Sequence, residues 1–114
     1  MQGLKMKLIV TGRTGSGKSE FKDIAELLIH VDIIEITPSS FISAYREGDK
    51  IVVVDTPAIL CCTRAGEPSI IAGDQKREDY ILSHVTELPN CTIIKNAGSL
   101  DDFRVKIKKF IRTL

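Results

Sequence analysis

Apolar and polar positions along the chain fall into two interleaved patterns. Short runs that are continuously apolar or β-branched occur within Lys5 to Thr11, Val31 to Ile36, Ile51 to Val54 and Cys91 to Lys95. Continuous rather than alternating apolar character marks strands covered on both faces, as in a parallel sheet. Elsewhere apolar residues recur at helical spacing. Phe21, Ile24, Ala25, Leu27 and Leu28 draw one stripe on a helix from Lys18 to about His30, with Glu20, Lys22, Asp23 and Glu26 facing out. Phe41, Ile42 and Tyr45 give a small face on a helix of about two turns, begun by the caps in Thr37-Pro38-Ser39-Ser40 and closed by Glu47-Gly48-Asp49. Ile81, Val85 and Leu88 mark the core side of a helix from Asp74 to Leu88, flanked by Tyr80 and His84. Leu100, Phe103, Ile107, Phe110, Ile111 and Leu114 mark the last helix, opened by Ser99 and Asp102 at capping spacing.

Strands alternating with helices predict an α/β domain in three layers, with a central, mainly parallel sheet of about four to five strands. One stretch departs from the alternation. Ala58 to Cys62 is apolar but too short for a parallel crossover, and fits a short antiparallel return, a buried turn or the start of an irregular lid. Arg64 to Ala72, holding Gly66 and Pro68, reads as a surface loop. Together these make a reduced lid near residues 61–76. Met1 to Leu4 reads as a loose leader.

With 114 residues, 43% of them hydrophobic and 27% charged, the chain has the size and composition of one globular domain. A net charge of +1 gives no broad basic footprint, which argues against nucleic acid as the primary partner. Lys106, Lys108, Lys109 and Arg112 are cations suited to the carboxyl end of a helix, and read first as a solvated face. No apolar run reaches the ~18 residues of a membrane span, and Met1 to Lys7 lacks the features of a secretory signal. No membrane partner and a cytoplasmic location are therefore expected. Cys61, Cys62 and Cys91 form an odd set without metal-binding spacing and read as buried apolar thiols; His30 and His84 carry no ligand pattern either.

The chemistry concentrates in Gly12-Arg13-Thr14-Gly15-Ser16-Gly17-Lys18-Ser19, which follows the first apolar run and precedes the first helical stripe. That context makes a glycine-rich octet a phosphate-binding loop. Glycines allow positive φ and close backbone approach, so successive N–H groups can line an anion nest. Lys18 adds a point charge for β- and γ-phosphates, and Ser19 sits where a hydroxyl can hold Mg²⁺. Arg13 is either a further phosphate ligand or a solvated side chain. Asp55 ends the third apolar run, where a carboxylate can hold the metal opposite Ser19 or merely cap the turn Asp55-Thr56-Pro57.

With the octet, Asp55 and the terminal Ile93-Ile94-Lys95-Asn96-Ala97-Gly98-Ser99-Leu100 in view, the chain resembles the P-loop nucleoside and nucleotide kinases. Within them it looks most like phage-type deoxynucleoside monophosphate kinases and dephospho-coenzyme A kinases, which also end in a strand, an Asn-x-Gly-Ser/Thr turn and a capped helix. Val54-Asp55-Thr56-Pro57-Ala58-Ile59-Leu60 is similar to the Asp-x-Pro-Leu-Leu run of the latter. The resemblance implies a P-loop NTPase fold, ATP and Mg²⁺, and transfer of the γ-phosphoryl group to a small nucleotide-like acceptor. It implies Lys18, Asp55, Arg64 and Arg77 as catalytic residues, the two arginines acting as lid cations, and Asn96 and Gly98 near the base with Ser99. The chain is much shorter than these kinases usually are, and its acceptor-binding insertion is reduced to Pro38 through Asp49. Three functions follow: such a phosphotransferase, a nucleotide-binding module without turnover that can act in a homo-oligomer, and a GTPase-like switch using Thr37. The last lacks an Asn-Lys-x-Asp guanine reader and has Ala58 in place of glycine.

Overall fold

Parallel pairing organises the whole structure, a computed structural model that describes residues 7–13, 16–46, 49–57 and 79–114. In chain order the elements are β1 (Lys7–Gly12), α1 (Lys18–Leu28), β2 (Asp32–Glu35), α2 (Pro38–Ala44), β3 (Lys50–Asp55), the helical residues 79–85 (α3), β4 (Cys91–Lys95) and α4 (Leu100–Ile111). The sheet order is β2-β1-β3-β4, and every pair is parallel. Val10 lies opposite Glu35, Gly12 opposite Val54 and Asp55 opposite Lys95, so all four carboxyl ends share one edge.

Alternate residues of each strand feed two separate cores, because side chains point to opposite faces with a period of two. Leu8, Val10, Val52, Val54 and Ile94 pack with Phe21 and Ala25 of α1 and Phe103, Ile107 and Phe110 of α4. The Phe21 and Phe110 rings meet at 6.1 Å with a 55° tilt. On the other face Ile9, Ile51 and Val53 pack with Phe41 of α2 and Val85 of α3, with Tyr45, Ile81, Leu82, Leu88 and Cys91 at the margin. Leu8, Ile9 and Val10 are wholly buried, which explains why β1 reads as an unbroken apolar run. The fold is thus α/β with helices on both sides of a parallel sheet, as the apolar pattern predicts.

Several expectations are corrected at the helices. Leu27 and Leu28, assigned to the inner stripe of α1, are 86% and 46% exposed. Leu27 sits six residues beyond the buried Phe21, roughly 240° round the helix, and so points away from the sheet. Leu28 closes the helix, whose last turn ends short of His30. Leu100 is the first residue of α4 and is 45% exposed rather than core. Tyr80 and His84 are both exposed, meeting edge to face at 4.9 Å.

The caps follow their chemistry more closely. Ser99 Oγ accepts the Asp102 N–H at the head of α4, and Pro38 occupies the first turn of α2. Lys108 and Lys109 lie in the last turn of α4, where cations suit the helix dipole. Cys91 is a free thiol in the sheet margin, and burial pushes its pKa up to about 11, in keeping with an apolar thiol. Among the described residues, no helix is long and apolar enough to cross a membrane. The leader, the lid near 61–76, Cys61, Cys62 and Asp74 lie outside the described residues.

Candidate phosphate-binding site

The strand order reverses beside β1. The chain steps from β1 to β2 on one side, then returns to place β3 on the other and continues to β4. In open α/β sheets such a switch point leaves a crevice beyond the carboxyl ends of the strands, where ligands bind. The glycine-rich octet begins at that position, since Gly12 is both the end of β1 and the start of the motif.

Two glycines are required there by geometry. Gly12 has φ +156°, and a Cβ on it would stand 2.5 Å from the Val54 carbonyl oxygen across the β1/β3 pair. Gly17 has φ +107°, and its Cβ would stand 2.5 Å from Asn96 Nδ2. Gly17 serves as the N-cap of α1 and offers no side chain to cap the helix. The Ser16 N–H closes a turn onto the Arg13 carbonyl at 3.0 Å. Lys18 is buried, and its Nζ donates to the carbonyls of Gly12 and Arg13, each at 3.0 Å. The ammonium therefore reaches back over the start of the loop.

A buried clamp holds the loop from behind. Asn96 Nδ2 donates to the Ser16 carbonyl at 2.8 Å. The Thr56 hydroxyl lies 2.8 Å from the same oxygen and 3.0 Å from the Asn96 carbonyl, and its single proton serves one at a time. Ser16 and Thr56 are fully buried and Asn96 is 4% exposed, so these bonds are shielded from competition with water. Asn96 thus uses its side chain to fix the loop. Gly98 is exposed in the turn that follows, and a Cβ there would stand 3.2 Å from Asp102 Oδ2.

Charged groups flank the loop on both sides. Arg13 Nε donates to Asp79 Oδ1, while its Nη1 donates to the Thr56 carbonyl and stands 3.5 Å from Asp55 Oδ1. Arg13, Asp55 and Asp79, with Val53, Val54, Leu82, Ser83, Thr86 and Ile93, line a cleft of about 170 Å³ at the sheet edge. On the other side Ser19 Oγ donates to Glu35 Oε2 at 2.7 Å. A hydroxyl and a carboxylate are hard oxygen donors of the kind Mg²⁺ selects, and Mg²⁺ completes its shell with waters and phosphate oxygens. The donor set therefore fits the metal, although among the described residues no three His, Cys, Asp or Glu side chains gather as a cage.

Of the expected site residues, the structure brings together Gly12, Arg13, Ser16, Gly17, Lys18, Ser19, Asp55 and Asn96. Thr14, Gly15, Arg64 and Arg77 lie outside the described residues. Sequence reasoning missed Glu35, Thr56 and Asp79. Glu35 carries the same signal as Asp55, a carboxylate ending an apolar strand, and Thr56 is the residue after such an end. Asp79 gives no signal, because its partner Arg13 is 66 residues away.

No protein-family model matches the chain, and a comparison with curated proteins returns no match.

Proposed function

We propose that this chain is a P-loop nucleotide-binding domain that takes ATP with Mg²⁺ and transfers the γ-phosphoryl group to a small nucleotide-like acceptor. The observation that carries the reading is the placement of the octet. Its obligatory glycines, its lysine and the N-terminus of α1 converge at the switch point of a parallel sheet. Backbone N–H groups from Gly17 onward and the Lys18 ammonium would bind the polyphosphate, with Ser19 turned towards the metal. Magnesium, when bound, supplies positive charge between the phosphate oxygens. Phosphoryl transfer of this type is catalysed by positioning and charge neutralisation, so a loop held at the Ser16 carbonyl suits it.

Nucleotide binding without turnover is the second reading, and a particular contact favours it. Arg13 already engages Asp55 and Asp79, so these charges beside the loop are compensated within the chain.

Thermal unfolding with nucleotides and Mg²⁺ tests the binding step, because a ligand of the native state raises apparent stability by RT ln(1 + [L]/Kd). ATP and ADP are expected to raise the Tm of the wild type and to leave that of Lys18→Ala unshifted. Equal shifts in both proteins, or none in the wild type at millimolar ATP, would defeat the reading. Acceptor-dependent ADP release, assayed with nucleoside monophosphates, deoxynucleoside monophosphates and dephospho-coenzyme A, then separates transfer from binding alone. Preference for guanine over adenine nucleotides would point to the switch-like alternative instead.

A further inference from the structure

The geometry points to Glu35, acting through Ser19, as the carboxylate that serves the magnesium ion of this loop, with Asp55 committed instead to Arg13. This rests on the phosphate-loop reading and reassigns one role within it. Strand β1 has two neighbours, and each delivers a carboxylate to the same edge of the sheet. Glu35 ends β2 in register with Val10, and Asp55 ends β3 one residue beyond Val54, the partner of Gly12. By sequence Asp55 is the natural candidate, since its strand is the longer and more apolar. The side chains divide the work differently.

Ser19, the residue whose hydroxyl a phosphate loop turns to its metal, donates that proton to Glu35 Oε2 at 2.7 Å. A hydroxyl with its proton directed into a carboxylate keeps both lone pairs for a cation, and the carboxylate makes its oxygen a stronger donor. Glu35 also brings a formal negative charge beside the metal position, and it is exposed, so waters of a magnesium shell can reach it. Asp55 stands across the loop with Arg13 Nη1 3.5 Å from its Oδ1. The Arg13 guanidinium is fixed there by Asp79 and by the Thr56 carbonyl. A carboxylate next to a tethered cation offers a second cation less attraction, because the two positive charges repel.

ATP binding measured by calorimetry in Mg²⁺ and again in EDTA tests the assignment, the ratio of the two affinities being the magnesium enhancement. Glu35→Gln keeps an acceptor for Ser19 but removes the charge, and is expected to lower the enhancement about 10- to 100-fold. Its affinity in EDTA should match the wild type or exceed it, which a general loss of structure would not produce. Glu35→Asp should recover part of the enhancement, and Asp55→Asn should keep most of it. Wild-type enhancement in Glu35→Gln overturns the proposal, as does a loss in Asp55→Asn as large as that in Glu35→Gln. A wild type that binds ATP equally with and without Mg²⁺ overturns it while leaving the phosphate loop standing. A wild type that binds no ATP in either buffer removes both.

Discussion

Gly17 shows how one position can serve backbone, clamp and ligand together. Its φ of +107° suits a residue without Cβ, and the space a Cβ would need is taken by Asn96 Nδ2. Gly17→Ala should therefore lower stability by about 1–3 kcal/mol, measured by urea unfolding, because the strain of left-handed backbone adds to the collision. The same substitution pushes on the amide that holds the Ser16 carbonyl, so ATP affinity should fall with it; unchanged affinity would show that the clamp does not shape the loop. At this scale the octet was legible as a glycine-rich turn from strand to helix, since the spacing of its small residues after an apolar run is a local signal. Asn96 was legible only as a turn residue. Its bond to Ser16 spans 80 positions, and no local pattern records a partner at that distance.

At the scale of elements, burial separates residues that hydrophobicity alone ranks together. Phe21 is wholly buried in α1 against Phe110, whereas Leu27 in the same helix is 86% exposed. Phe21→Ala should cost about 3–5 kcal/mol through lost transfer energy and the cavity left behind. Leu27→Lys should stay within about 0.5 kcal/mol of the wild type in the same urea measurement. A large loss in Leu27→Lys would mean that something covers this face of α1 in solution. The elements were legible because strand and helix periods differ, and the parallel sheet was legible because its strands lack alternation. The apolar stripe of α1 was overdrawn, since apolar residues outnumber the positions that face the sheet.

For the molecule as a whole, the two edges of the sheet do different work. At the amino edge, Lys7 at the start of β1 donates to the Ala44 carbonyl and pairs with Asp49 at 2.9 Å, tying β1 to the chain on either side of residues 47 and 48. Burial tends to raise the Asp49 pKa, but the hydrogen bond from Lys7, the Arg46 N–H and the charges of Lys7 and Arg46 outweigh it and hold the carboxyl below its ordinary 3.8. A depressed carboxyl pKa stabilises the fold above its unfolded value, and that stability is lost as pH falls through the lower, folded value. Asp49→Asn should thus be less stable than the wild type near neutrality, with the gap closing below about pH 4 in urea melts taken across the acid range. A constant gap would mean that the pair contributes by packing rather than by charge. The carboxyl edge carries the candidate site, and its make-up depends on strand order. The sequence by itself determined the α/β class, the strands and helices, and the octet that follows β1, because these depend on neighbours a few residues apart. Only the tertiary structure decided that β1 lies between β2 and β3. From that order follow the loop's position at the switch point, the placing of Glu35 against Ser19, and the pairing of Arg13 with Asp55 and Asp79. Strand order is settled by which faces the helices can cover together, a property of the packed whole that no single stretch of chain encodes.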